Sequence, residues 1–586
     1  MPRQLMQTER TPRGSLGVIF TLLLMAAGLL GVRLVGLINH GQAETIALAT
    51  DQQRVVVPLA ARPGGIWLRT RHAYRLLAGS RQSPGCYIDP LMVPDNRIEQ
   101  VAADLAATLN LDAAALAQLV RSRRESRFVW VKRDITAEQA RAVEALGIAS
   151  MVGITHEWRR EYPNGSLAAG VLGFCLADGS PGGGLELSQR RWLKATPGRR
   201  VLLADASRRP IWLSADESVP PIDGHDVYLT IDAAIQSYLE EALAETVAAH
   251  DGKWATGVVV EPATGRVLAM ASVPTFDPNE FNRVPQECWS NRAILSPYEP
   301  GSAAKPIFAA AAVDAGVATY DTEIYCENGV YHAPRGGRIT DHGKSYGTLT
   351  LEQGVVVSSN ICLAKVGAML GNARLHAAAC RFGLGEATGI ELPGEEPGVI
   401  RPLDRWDGYS TPRVPFGQEM SVTALQLTMA FSALANGGLL MRPMLIEQVT
   451  DPYGRVVYQG EPEVVRRAIS PDTAADTLGV LQKVVEEGTG KSCRMSRWTS
   501  FGKTGTAQIP GVGGYVDGAY TGTFVGGGPV DSPRVICLIS VYWPDRSRGY
   551  YGSVVAAPYV KKVLERTLAY LQVPPDRGTG ALARVD

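Results

Sequence analysis

One apolar run limits what the rest of the chain can become. Residues 16–32 (LGVIFTLLLMAAGLLGV) carry one hydroxyl, Thr21, and no charge. With residues 34–38 added, the run is long enough to cross a hydrocarbon core of ~30 Å as a single helix, with Arg33 snorkelling near its far end. Arg3, Arg10 and Arg13 precede it, and a basic flank stays on the cytoplasmic side. A cleaved signal peptide is the other reading, with small residues at 41–49. Its apolar core, however, would span only ~7 to 15 residues, so the length favours an uncleaved anchor. No second run of this length follows, and everything after residue 40 is expected outside the cytoplasm.

That exported part is large. At ~100 to 200 residues per domain, a chain of 586 residues with 45% hydrophobic side chains implies two to four packed domains. The 58 basic residues balance 58 acidic ones, which removes the field a nucleic-acid binder needs. The eight cysteines form no C-x-x-C pair and the eight histidines no H-E-x-x-H, which argues against a zinc site. No disulfide pairing is assigned.

Between residues 40 and 225, short strand-like runs (54–59, 128–131) alternate with Pro and Gly around one helical patch at 98–119, a mixed α+β region without obvious chemistry. Gly and Pro at 180–184, 220–221 and 224 punctuate its end, and the domain boundary is expected there. Asp232 caps an expected helix to His250, stopped by Gly252, with Ile235, Leu239, Leu243 and Val247 along one face. Segments 256–260 and 266–272 read as a hairpin, and 520–526 and 534–542 as a second strand pair. Strands at both ends with helices between them predict one sheet built from distant parts of the chain.

Three short motifs carry chemistry. In Glu299-Pro-Gly-Ser302-Ala-Ala-Lys305, a hydroxyl and an amine three residues apart share one face if a helix starts at the serine, as nucleophilic acyl transfer requires. Alone the signal is weak, because Ser500-Phe-Gly-Lys503 has the same spacing and an ordinary helix start with a solvated Lys305 explains Ser302 better. Ser302 precedes a helix-compatible run, however, whereas Ser500 leads into the strand-like Lys503-Thr-Gly-Thr506. Ser358-Ser-Asn360 lies between them. The order Ser-x-x-Lys, Ser-x-Asn, Lys-Thr-Gly is that of the penicillin-recognising serine acyltransferases.

Beyond these motifs the exported chain resembles the class B penicillin-binding proteins, the monofunctional peptidoglycan transpeptidases. The resemblance rests on Arg160-Glu-Tyr-Pro-Asn-Gly165, Val171-Leu-Gly-Phe174, Gly184-Leu-Glu186, Leu229-Thr-Ile-Asp232, Phe276-Asp-Pro-Asn279, Ser421-Val-Thr423, Ala435-Asn-Gly437, Gly488-Thr-Gly490 and Gly502-Lys-Thr-Gly-Thr-Ala-Gln508. Tyr550-Tyr-Gly-Ser553 and the residues to Pro558 look more like the cell-division (septal) branch. One departure is at 61–70, where the family's Asp-Arg-Asn-Gly turn is missing.

The resemblance implies an α/β (α+β) chain: a serine β-lactamase-like transpeptidase domain whose antiparallel sheet is flanked by helices, a mixed α+β pedestal and one transmembrane helix. The expected bounds are a cytoplasmic tail at 1–15, an anchor at 16–38, a pedestal of the dimerisation type at 39–224, the transpeptidase domain at 225–573 and a tail at 574–586. Ser302 is expected to attack a D-Ala-D-Ala carbonyl and Lys305 to take its proton. Ser358 and Asn360 would relay protons and hold the substrate amide, Lys503, Thr504, Gly505 and Thr506 would line the carboxylate site, and the backbone N–H groups of Ser302 and Thr506 would face the oxyanion. For Lys305 to act as a base, its pKa must fall by about three units, roughly 4 kcal/mol, and both burial and the charge of Lys503 are expected to push it down.

No metal or organic cofactor is called for. The implied partners are stem peptides, β-lactams, a membrane glycan polymerase of the SEDS type and division proteins, with no nucleic acid. The implied location is the inner (cytoplasmic) membrane, single-pass, N-terminus cytoplasmic and catalytic domain periplasmic. Elongation-type transpeptidase, D,D-carboxypeptidase, serine β-lactamase and an inactive division scaffold are the alternatives. The intact Ser302, Lys305, Ser358, Asn360 and Lys503 oppose the last.

Overall fold

The computed structural model describes residues 13–204, 210–334, 337–511 and 513–577. Arg3, Arg10 and most of the expected C-terminal tail lie outside them. Helix α1 (Arg13–Gln53) is continuous through the apolar stretch Gly17–Ile38, whose mean hydropathy is 2.3 and whose large side chains are exposed on all sides, as suits a helix solvated by lipid. Strand Arg54–Leu59 follows it into a three-stranded antiparallel sheet with Gly198–Ala204 at the centre and Pro210–Val219 at the other edge. These segments form one compact unit, and residues 62–195 and 223–586 form another.

In the larger unit a seven-stranded sheet takes strands from both sides of residue 224. Asp226–Asp232 pairs in parallel with Ile66–Arg69, which pairs antiparallel with Tyr74–Ile88. The change of pattern after Gly224 therefore marks the start of a strand in a shared sheet. The helical patch at 98–119 is two helices, Ile98–Leu109 and Ala113–Ser122. Asn110 between them adopts φ 56°, a left-handed conformation its short side chain tolerates, and Asp112 caps the second by accepting from Ala115 N.

The second sheet carries the chemistry. Helix α2 (Ala233–His250) is capped by Asp232, which accepts from the N–H groups of Ala234 and Ile235, and its left-handed end residue is Asp251, one position before the expected Gly252. Strands β1 (Trp254–Val260) and β2 (Val267–Val273) form the expected hairpin; β3 (Phe501–Gly511), β4 (Gly514–Gly528) and β5 (Val535–Tyr542) complete a fully antiparallel sheet in the order β2-β1-β5-β4-β3. Both faces are buried, and alternation divides them. Val258, Val260, Ile536 and Leu538 enter the core with helices α3 (Lys305–Asp314), α4 (Asn360–Arg381) and α5 (Ala424–Ala435). Val259, Cys537 and Ile539 point the other way, into a core with α2 and helix α6 (Ala557–Tyr570). Strand β3 is left at the sheet edge beside the start of α3, with no strand neighbour on its outer side among the described residues.

Candidate active site

Ser302 lies in a 3₁₀ turn, Gly301–Ala304, and α3 begins only at Lys305, with Pro306 in its first turn. The expected α-helix start at Ser302 is thus corrected. Pro306 has no N–H to donate back, so the chain winds tightly before it. At three residues per turn, positions i and i+3 eclipse, so Ser302 and Lys305 still share a face.

Glycines let three backbones converge on this turn. Gly301 takes φ 53° and donates to Gly417 O at 3.1 Å; a Cβ on Gly417 would meet Gly301 O at 2.1 Å. A Cβ on Gly505 would lie 2.7 Å from Pro300 O and 3.2 Å from Ala303 Cβ. The last residue of Lys-Thr-Gly is therefore a glycine because β3 runs against the serine's turn.

The second motif sits between the helix Leu351–Val356 and α4. Ser358 has φ 65°, a left-handed conformation that costs a non-glycine residue energy and is common where function demands it. Lys305 Nζ donates to Ser358 O at 2.5 Å, to Ser358 Oγ at 3.1 Å and to Asn360 Oδ1 at 2.8 Å. Lys503 Nζ, entering from β3, donates to the same Ser358 Oγ at 2.9 Å and to Thr504 O at 3.2 Å. One hydroxyl thus bridges two amines, both on fully buried side chains.

The remaining expected residues have other immediate partners. Thr504 Oγ1 shares a 3.1 Å hydrogen bond with Thr489 Oγ1 and accepts from Lys503 Nζ at 3.3 Å, while Thr506 Oγ1 accepts from Gly552 N at 3.2 Å. Ser500, the rival serine, is fully buried, donating to Cys493 O and accepting from Met495 N, which suits a structural hydroxyl. Asp341 and the Gly552 contact were not foreseen. Asp341 takes part in no motif, and its only sequence signal is a turn-like Asp-His-Gly.

Burial is the leading cause of the electrostatics. It pushes the Lys305 amine down to about 7 from the ordinary 10.5, against the opposing influence of Asp341 and Cys362. Lys503 lies well below the usual lysine range, first through burial and then through repulsion by Lys305. Of the two influences expected on Lys305, burial is the one that acts, and the repulsion between the two amines bears on Lys503.

The sequence matches the description "Penicillin binding protein transpeptidase domain" over residues 255–565 and "Penicillin-binding Protein dimerisation domain" over residues 70–178. The chain belongs to the class B penicillin-binding proteins. It is similar to "Penicillin-binding protein PbpB" of Mycolicibacterium smegmatis, 32% identical over 504 residues, covering 84% of this chain and 77% of that one. It is equally similar to "Probable peptidoglycan D,D-transpeptidase PenA" of Neisseria meningitidis, 32% identical over 458 residues, covering 78% and 76%. Among solved structures, penicillin binding protein 3 of Mycobacterium tuberculosis in complex with aztreonam matches with a TM-score of 0.68 at 26% identity, covering 89% of this chain and 98% of that one.

The transpeptidase match contains every cleft residue named above. In this penicillin-binding protein the segment lacking the family's Asp-Arg-Asn-Gly turn still closes a hairpin: Thr70 N donates to Ala73 O at 2.8 Å, ahead of Tyr74–Ile88. Nearby, Arg160 and Glu186, from two of the family-like motifs, form a buried ion pair at 2.6 Å, and Arg160 Nη1 also donates to Gly64 O at 2.6 Å.

Proposed function

We propose that the protein is a serine D,D-transpeptidase that cross-links peptidoglycan stem peptides through a Ser302 acyl-enzyme. The single observation that carries the mechanism is the Ser358 hydroxyl within hydrogen-bond reach of both amines, with Lys305 on the same face of its turn as Ser302. Neutral Lys305 takes the Ser302 proton as Oγ attacks the carbonyl of the penultimate D-Ala. The amide bond breaks, and the leaving D-Ala amine is protonated through Ser358. An acceptor amine then attacks the ester, its proton passes to the lysine pair, and Ser302 regains its own. Ser302 N and Thr506 N serve as the oxyanion donors, and Lys503, Thr504, Gly505 and Thr506 receive the terminal carboxylate. A β-lactam follows the first half of this path, its ring nitrogen staying tethered as the leaving group. The M. tuberculosis relative solved with aztreonam supports that half.

We read residues 39–224 as the pedestal and 225–573 as the catalytic domain, anchored by residues 16–38 in the cytoplasmic membrane with the cleft outside. The septal branch is favoured by the Tyr550-Tyr-Gly-Ser553 segment, whose Gly552 N holds Thr506. A glycan polymerase of the SEDS type and other division proteins are the proposed partners. The test is to supply a D-Ala-D-Ala stem donor with and without an amine acceptor stem. Transpeptidation predicts D-Ala release matched by a cross-linked dimer, whereas release with no dimer at saturating acceptor identifies a D,D-carboxypeptidase.

A further inference from the structure

Asp341 follows the hairpin formed by Val330–Ala333 and Gly337–Thr340, and the residue is 9% exposed. Its Oδ2 accepts from Ser359 Oγ at 2.8 Å, and its Oδ1 accepts from Asn360 N at 2.6 Å and Ile361 N at 3.1 Å. Thr340 O, one residue earlier, accepts from Asn360 Nδ2 at 3.0 Å. Asn360 is therefore gripped at its backbone and at its side-chain NH₂. That leaves Oδ1 one orientation, toward Lys305 Nζ at 2.8 Å. Ser359 Oγ, while donating to Asp341, accepts from Cys362 N as the cap of α4.

We propose that Asp341 is a positioning residue for acyl transfer: it holds the Asn360 backbone so that the Asn360 carbonyl points at Lys305, and its carboxylate is the counter-charge to the Lys305 ammonium. The inference rests on reading Lys305 as the base. The groups facing Lys305 are Asp341 from the hairpin, Cys362 from α4 and Lys503 from β3; those facing Asp341 are Tyr346 and Cys326, with Lys365 and Glu327 paired to each other beside them at 2.6 Å. Among those acting on Lys305, burial lowers its proton affinity and Asp341 is the first group to oppose it.

Two substitutions separate orientation from charge. Asp341→Asn keeps an acceptor for Asn360 N and Ile361 N and, with the Ser359 hydroxyl turned to Cys326 Sγ, can donate to Ser359 Oγ, so the orientation of Asn360 is kept while the charge is lost. Asp341→Ala loses all three bonds. The measurement is the second-order rate of Ser302 acylation by a penicillin from pH 5 to pH 10, normalised to the final adduct so that unfolded protein is not counted. The expected result for Asp341→Asn is a plateau within about threefold of wild type and an acid-side inflection lower by about half a pH unit or more. For Asp341→Ala it is a plateau lower by about tenfold or more, because Asn360 is no longer aimed. An Asn profile that superimposes on wild type or moves to higher pH overturns the proposal, as does a wild-type plateau in Asp341→Ala. Failure of the underlying reading looks different: wild type itself would carry no adduct on Ser302.

Discussion

The two buried lysines set the chemistry of the cleft at the scale of single residues. A lysine whose folded pKa is about 7 is protonated below that pH and neutral above it, so acylation should climb through pH 7 and level off on the alkaline side. Burial brings Lys305 down, whereas the repulsion between the two amines bears on Lys503. Replacing Lys503 with Gln should therefore lower the plateau, through the lost carboxylate contact, while leaving the inflection within about half a pH unit of wild type. An upward shift of a full unit, read from acylation rates between pH 5 and pH 10, would mean that the charge of Lys503 does hold Lys305 neutral. The motif residues could be read from the sequence because the same three patterns recur in order. Asp341 could not: its partners lie 18 to 20 positions away with no periodic relation, and only the folded hairpin brings them together.

Elements converge on the cleft only where side chains are absent. Strand β3 approaches the serine's turn across Gly505, and a methyl group there would meet Pro300 O at 2.7 Å, a backbone atom with little freedom to move. Gly505→Ala should push β3 off the turn, costing about 1 to 3 kcal/mol in stability and most of the acylation rate. Thermal unfolding and penicillin labelling read the two effects separately, and a variant with wild-type labelling would show that the close approach is not required. At this scale hydrophobic pattern and capping residues made β1, β2, β5 and α2 readable, since each has a continuous run and a recognisable start. Two details escaped that reading. The break at Asn110 depends on one residue's left-handed backbone, and the 3₁₀ turn before α3 depends on Pro306 rather than on periodicity.

At the scale of the whole molecule, the proposed function joins one apolar helix long enough to cross a membrane to a transpeptidase domain proposed to lie outside the cytoplasm. The long apolar helix was readable from the length of its run alone, but the sheet shared across residue 224 was hidden because its strands are far apart in the chain. The topology predicts that a reporter fused after Asp586 is active only outside the cytoplasm; activity inside would reverse the orientation. The central claim is that Ser302, not Ser500, opens a substrate amide. Its most direct measurement is to label the protein with a fluorescent penicillin, digest it and locate the adduct by peptide mass in wild type, Ser302→Ala and Ser500→Ala. The account predicts one adduct on the peptide containing Ser302, absent in Ser302→Ala and largely retained in Ser500→Ala. Equal labelling of wild type and Ser302→Ala, or an adduct on the Ser500 peptide, would contradict it.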